Sequence, residues 1–243
     1  METTALRATI AANLAHVRQV IVDAAVASGR RADEVRLIAV SKTHPAEAIA
    51  AAIAAGQRVF GENTAQEALP KIARFPDEPL EWHFIGHLQS NKAKLVPGNF
   101  GWLHSLDNLK LAERLARFAR ERSAILNILI EVNITRDPAK HGVAPEAVAP
   151  LLDDLLSADL VGLRLRGLMA LGPHPAGVAE QRAAFAAVRE LHDTCRSRFA
   201  LAEFTELSMG MSGDYQAAIA EGATLVRIGS AIFGERDYGR PPG

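Results

Sequence analysis

The sequence predicts an α/β protein built as a closed (β/α)8 TIM barrel, with one extra helix at its amino terminus. Three observations carry that prediction. Eight short apolar segments alternate with helical segments from residue 36 onward, which implies right-handed βαβ crossovers and a parallel sheet. The stretch from Arg36 to Gly234 holds 199 residues, roughly 25 per unit, close to a compact barrel with few insertions. An open sheet binding a dinucleotide would carry a glycine-rich turn after its first strand, whereas the first turn here reads Ser41-Lys42-Thr43-His44-Pro45.

Each element has its own signal. From Thr4 to Ala27 the residues Leu6, Ile10, Leu14, Val17 and Ile21 recur at steps of three and four, and Gly29 ends this first helix. The expected strands are Arg36–Lys42, Arg58–Asn63, Trp82–His87, Trp102–Asp107, Asn127–Asn133, Leu163–Leu171, Phe204–Gly210 and Thr224–Ser230. Amphipathic, alanine-rich helices are expected between them, among others at Pro45–Ala55, Asn108–Arg122, Pro145–Ser157 and Gly177–Phe199, with a short one at Tyr215–Ala220. No linker, low-complexity tract or charge block divides the chain, so residues 1–243 are expected to form a single domain, with the barrel at about 36–234.

Composition narrows the classes. Hydrophobic residues make up 49% and charged residues 23%, enough to bury a sizeable core. With a net charge of −1 and a pI near 6.7, no basic field is available for nucleic acid or an anionic membrane. The single cysteine, Cys195, cannot form an internal disulfide, and its helical setting suits a small core residue. Glu2 and Arg7 interrupt the amino terminus, so a signal peptide is not expected. No apolar run approaches the ~18 residues that span a membrane. These points lead to the expectation of a cytoplasmic protein, and the want of a legible exposed apolar stripe to that of a monomer.

Polar and small residues gather at the carboxyl ends of the expected strands: Lys42, Gly61-Glu62-Asn63, Gly86-His87, Ser105-Leu106-Asp107, Asn133, Met169, Ser208 to Ser212, and Arg227 to Ser230. In a (β/α)8 barrel that rim is where active sites are built. A lysine at the mouth of a buried strand is either held charged by a partner or pushed toward the neutral amine, a nucleophile toward aldehydes. The plain alternative for Lys42 is a lysine snorkelling along the surface. Ser208-Met209-Gly210-Met211-Ser212-Gly213 and Arg227-Ile228-Gly229-Ser230 follow strands seven and eight, where barrels often grip phosphate through backbone N–H groups. Both segments also read as ordinary loop and cap residues. An aldehyde-binding lysine beside a phosphate cradle points to pyridoxal 5′-phosphate (PLP).

By the period-two rule Arg227 shares a face with Gly229, so its guanidinium should enter the barrel. There it can only donate, for instance to a pyridine nitrogen, which would make the ring a weak electron sink. Pairing with a carboxylate such as Glu131 fits the sequence equally well. His83 and His87 lie four apart on a strand, about 13 Å, too far to share one ion. His44, His104, His141 and His174 show no ligand spacing, so a metal site is not expected. Glu62 reads as a rim salt-bridge partner, and Trp82 and Phe84 as packing residues.

Several strings together resemble one known family. They are Val40-Ser41-Lys42-Thr43, Phe60-Gly61-Glu62-Asn63, Trp82-His83-Phe84-Ile85-Gly86-His87-Leu88-Gln89, Lys140-His141-Gly142, Gly167-Leu168-Met169, Leu207-Ser208-Met209-Gly210-Met211-Ser212 and Val226-Arg227-Ile228-Gly229-Ser230-Ala231-Ile232-Phe233-Gly234-Glu235-Arg236. From Arg36 to Tyr238 the chain is similar to the pyridoxal phosphate homeostasis proteins, single-domain relatives of the alanine racemase N-terminal domain. The resemblance implies the type III PLP fold, with PLP held as a Schiff base on Lys42. It implies phosphate contacts at Ser208, Met209, Ser212, Gly229 and Ser230, Arg227 at the pyridine nitrogen, and pocket positions at Asn63 and Met169. Thr64 departs from the tyrosine usual after Gly-Glu-Asn, so no phenol contact is expected there.

Alanine racemase works with two bases, the lysine and a tyrosine brought by a second domain. This chain has only Tyr215 and Tyr238, and neither comes with such a domain. The leading expectation is a non-enzymatic PLP carrier and buffer serving vitamin B6 homeostasis, handing PLP transiently to apo-enzymes, with indirect effects on amino-acid metabolism. The rivals are a weak PLP-dependent amino-acid racemase and a scaffold with a decayed site.

Overall fold

A computed structural model describes residues 2–234, with side chains from residue 4; Glu235, Arg236 and Tyr238 lie outside the described residues. Eight parallel strands follow one another around a closed barrel: β1 (Arg36–Val40), β2 (Val59–Glu62), β3 (Glu81–Phe84), β4 (Trp102–Leu106), β5 (Leu126–Val132), β6 (Leu163–Ala170), β7 (Glu206–Ser208) and β8 (Leu225–Ile228). Closure is made by β1 against β8, in register from Arg36↔Leu225 to Ala39↔Ile228. Every expected strand is present. All eight stop short of the expected carboxyl end, because those last residues leave the ladder to build the rim.

The connecting helices are α1 (Glu2–Ala27), α2 (Ala46–Ala54), α3 (Ala65–Ile72), α4 (Leu109–Glu121), α5 (Val148–Ser157), α6 (Val178–Arg198), α7 (Tyr215–Ala220) and α8 (Ser230–Phe233). Pro145–Ala147 forms a 3-10 turn ahead of α5, so the expected Pro145–Ser157 helix is two pieces. The sequence reading missed α3, which has Pro70 inside it. The crossover from β3 to β4 is a 3-10 segment, Ser90–Leu95. Asn108 caps α4 by accepting the Leu111 N–H at 2.8 Å.

Helix α1 buries the stripe Ile10, Leu14, Val17, Ile21 and Ala25 against α2, α7 and α8. Contrary to expectation, Thr4–Ala27 is long and apolar enough by composition to cross a membrane, with a mean hydropathy of 1.2; here its apolar stripe is seated on the barrel. The main core fills the shell between strands and helices and contains Phe60, Trp82, Phe84, Phe185, Phe204 and Cys195. A smaller cluster, Ile38, Trp102, Leu129, Met169 and Leu225, lies inside the barrel.

Candidate cofactor-binding site

A cavity of about 620 Å³ opens at the carboxyl ends of the strands, a size common for small-molecule sites. Val40, Lys42, Asn63, Ile85, Leu171, Arg227 and Gly229 line it from the strand ends. Ser212 to Asp214 and Ser230 complete it from the loops.

Lys42 lies two residues beyond β1 and shares its face with Val40, so the period-two rule turns it into the cavity. It is half-buried and lies on the cavity wall. The peptide leading to it is held from behind. The Ser41 N–H donates to the Gly61 carbonyl at 3.0 Å, and the Ser41 hydroxyl donates to Glu62 Oε1 at 2.7 Å. Lys71 Nζ, from α3, donates to the Ser41 carbonyl and to Glu62 Oε1, each at 2.9 Å. Glu62 is fully buried, and burial pushes its carboxyl up although Ser41 and Lys71 oppose this. It therefore supports the lysine loop from outside the barrel and does not line the cavity. Asn63 is held by close approach at Gly86, where a Cβ would stand 2.2 Å from the Asn63 carbonyl oxygen.

The loops after β7 and β8 form the other end. Gly210 takes φ +89°, a left-handed conformation that turns the chain from β7 into Met211–Asp214. The Met211 N–H donates to Asp214 Oδ1 at 2.6 Å, and the Ala231 N–H reaches Ser212 Oγ at 3.5 Å, joining the two loops. Among the described residues, the N–H groups of Ser212, Gly213, Gly229 and Ser230 have no acceptor. A Cβ on Gly213 would meet nothing within 4 Å, and one on Gly229 would stand 3.2 Å from the Val40 carbonyl oxygen. Orphan N–H groups in an open cup are the donor set a phosphate monoester needs.

Arg227 enters the barrel and is almost completely buried. Its Nη1 donates to Ser208 Oγ at 2.5 Å and its Nη2 to the Ala170 carbonyl at 3.1 Å. Two of its five donors are thus satisfied, leaving others for the cavity it lines. Burial lowers its pKa to about 10, against the opposing charges of Asp214 and Glu131. The expected alternative, a salt bridge to Glu131, is not formed. The Glu131 carboxyl is instead pushed up to about 7, by burial first and the Asp107 charge second.

The structure brings Lys42, Asn63, Ser212, Arg227, Gly229 and Ser230 to one cavity. Three expected residues are not on its wall. Ser208 faces Arg227 and His104 inside the barrel, and Met209 points outward into the main core. Met169 sits in the inner apolar cluster, while Leu171, one step further along the same face, lines the cavity. The loop's unused N–H donors begin at Ser212, past the strand end, since the Met211 N–H is taken by Asp214. Sequence reasoning also missed His44 and the segment His174-Pro175-Ala176, which reach the cavity from loops. Thr64 is exposed at the start of α3.

The profile of the alanine racemase N-terminal domain family matches residues 8–237. A pyridoxal phosphate homeostasis protein of Pseudomonas aeruginosa is 49% identical over 233 residues, covering 96% of this chain and 98% of that one. One of Escherichia coli is 46% identical over 239 residues, covering 95% and 98%. The structure of PipY from Synechococcus elongatus with PLP bound aligns with a TM-score of 0.81 at 40% identity, over 93% of this chain and all of that one. Alanine racemase from Corynebacterium glutamicum, at 17% identity and a TM-score of 0.67, is related by fold alone. The barrel, the placement of its rim residues and these identities agree: the chain belongs to the pyridoxal phosphate homeostasis protein family.

Proposed function

We propose that this chain binds PLP in the rim cavity as a single-domain carrier and buffer of the cofactor, in the cytoplasm and as a monomer, and releases it to apo-enzymes through transient contacts. The observation that carries the reading is the convergence of Lys42, Arg227 and the donor loops Ser212–Gly213 and Gly229–Ser230 on one cavity. PLP brings an aldehyde, a phosphate monoester and a pyridine nitrogen. Lys42 Nζ is the group for covalent attachment of the aldehyde. The orphan N–H groups and the Ser212 and Ser230 hydroxyls suit the phosphate. Arg227, unable to accept a hydrogen bond, suits the unprotonated ring nitrogen.

Among the described residues, no tyrosine supplies the second half of racemase chemistry. Tyr215 is buried at the start of α7, its phenol raised by burial, and it is not on the cavity wall. A racemase needs an acid on the face opposite the lysine, and no described tyrosine provides one. Glu62 and Lys71 support the lysine loop from behind.

The test is an absorbance spectrum of purified protein with added PLP, Lys42→Ala alongside, and borohydride reduction followed by peptide mapping. A visible band absent from Lys42→Ala, with the label on Lys42, is expected. A colourless protein, or label spread over surface lysines, would overturn the reading. Exchange of amino-acid α-protons in D₂O near 1 s⁻¹, an ordinary enzymatic rate, would replace the carrier by an enzyme.

A further inference from the structure

A line of polar side chains runs through the barrel interior beneath the cavity. Arg227 Nη1 meets Ser208 Oγ, Ser208 Oγ lies 2.9 Å from His104 Nδ1, and His104 Nε2 lies 2.8 Å from His83 Nδ1. His83 Nε2 lies 2.6 Å from Glu81 Oε1, which also accepts from Arg36 at 3.1 Å. Ser208, His104 and His83 are buried, whereas Glu81 and Arg36, at the amino ends of β3 and β1, are partly exposed. The register of β4 against β5 slips between Leu103 and Leu106, around His104.

The two ends set the direction of every bond. Arg227 can only donate and the Glu81 carboxylate can only accept. Burial holds both imidazoles below the ordinary histidine range. It tends to raise Glu81, but His83 and Arg36 outweigh it and keep that carboxyl low. His83 therefore carries its proton on Nε2, toward Glu81, and must accept at Nδ1. That acceptance requires a proton on His104 Nε2, which leaves His104 Nδ1 to accept from the Ser208 hydroxyl. Ser208 in turn accepts from Arg227. Ser208, His104 and His83 are each used once as donor and once as acceptor, with one consistent arrangement.

We propose that Ser208, His104 and His83 are positioning residues: a one-way hydrogen-bond chain that fixes the Arg227 guanidinium toward the cofactor ring and ties it to Glu81 at the opposite end of the barrel. This rests on the PLP-binding reading above. An apolar filling of the same space would carry a smaller desolvation cost. What the polar chain adds is a single orientation for the Arg227 donor. It also gives the guanidinium no direct carboxylate partner, so its charge stays directed at the cavity. The chain reassigns Ser208 from the phosphate end to the ring end of the site.

Two measurements test it. The first uses the unaltered full chain with ¹⁵N-labelled histidine at neutral pH. Both His83 and His104 should be neutral with the proton on Nε2; a proton on Nδ1, or a charged ring, would overturn the direction. The second measures PLP affinity and the absorbance maximum of bound PLP in Ser208→Ala, His104→Phe and His104→Gln. The first two should bind about tenfold more weakly, the scale of one hydrogen bond to a charged group, and should shift the maximum. Glutamine offers an acceptor and a donor from one amide, so His104→Gln should recover most of the loss. Folded variants with unchanged affinity and spectrum would reduce the chain to core filling and end the proposal. If the variants do not fold, the two tautomers decide it. Failure of the unaltered chain to take up PLP would instead sink the binding reading, and this role with it.

Discussion

Lys71→Met isolates the support behind the lysine loop. Among the described residues, Lys71 Nζ is the only cation bonded to Glu62, a carboxylate with no exposed surface whose Oε2 lacks a partner there. Methionine keeps the length and apolar stem of lysine but removes both 2.9 Å bonds, to Glu62 Oε1 and to the Ser41 carbonyl. Leaving a buried charge unpaired costs roughly 3–5 kcal/mol. Lys71 is itself 13% exposed, so the low end, about 3 kcal/mol, is expected. At about 2–4 °C per kcal/mol for a chain of this size, that is a fall of roughly 9 °C in melting temperature.

The pH dependence gives the sharper check. The folded-state pKa of Glu62 is already raised, and losing Lys71 raises it further. A raised carboxyl contributes stability that is present at low pH and lost as pH rises through its folded value. The deficit of Lys71→Met should therefore be largest at pH 8 and shrink toward pH 5, as Glu62 takes up a proton. Melting of the ligand-free protein at the two pH values measures it, and PLP affinity should fall because the Ser41 peptide loosens. A fall under about 2 °C, or an equal deficit at both pH values, would refute the assignment of Lys71 as the compensating charge.

Glu131→Gln should remove a different pH dependence. Its carboxyl is raised from 4.5 to about 7, so the wild-type chain should lose up to about 3 kcal/mol between those values; the variant should lose less across that window and melt higher at pH 8. Gly210→Ala should lower the melting temperature by at least about 6 °C, because its φ is +89° and a Cβ would stand 2.7 Å from Ala218 Cβ and 2.8 Å from Tyr215 Cα. Asn108→Ala should cost about 1 kcal/mol, near 3 °C, by leaving the Leu111 N–H without its cap; differential scanning calorimetry reads both.

The barrel was legible because each strand is an apolar segment bounded by turn residues, and because the chain spends few residues between strands. Helix α3 was not, since Pro70 interrupts its pattern and Glu67 and Lys71 give it a polar look, although Lys71 turns inward to Glu62. Lys42 and Arg227 were legible as cavity residues because both obey the period-two rule along a strand face. Depth was harder. Met169 and Ser208 were read on the correct face but one step too deep, because rim loops begin where hydrogen bonding ends, and that point is set by the tilt and stagger of the closed sheet.

The interior chain shows why such a constellation escapes a linear reading. Along the sequence, His83 and His104 were judged by their spacing to other ligands, a test that compares neighbours on one segment. In the barrel, β3 lies beside β4 and β7 beside β8, while His104 on β4 and Ser208 on β7 meet across the interior, so residues 19 to 104 positions apart become bonded pairs. The usable signal is the inward parity of polar residues: His104 shares a face of β4 with Trp102 and Arg227 a face of β8 with Leu225, both of the inner apolar cluster, and Glu81 and His83 on β3 and Ser208 on β7 point to the same interior. A polar group on such a face must be satisfied by another strand. Five such residues with one obligate donor and one obligate acceptor imply a connected chain, and once the strand order is known, few routes through it remain.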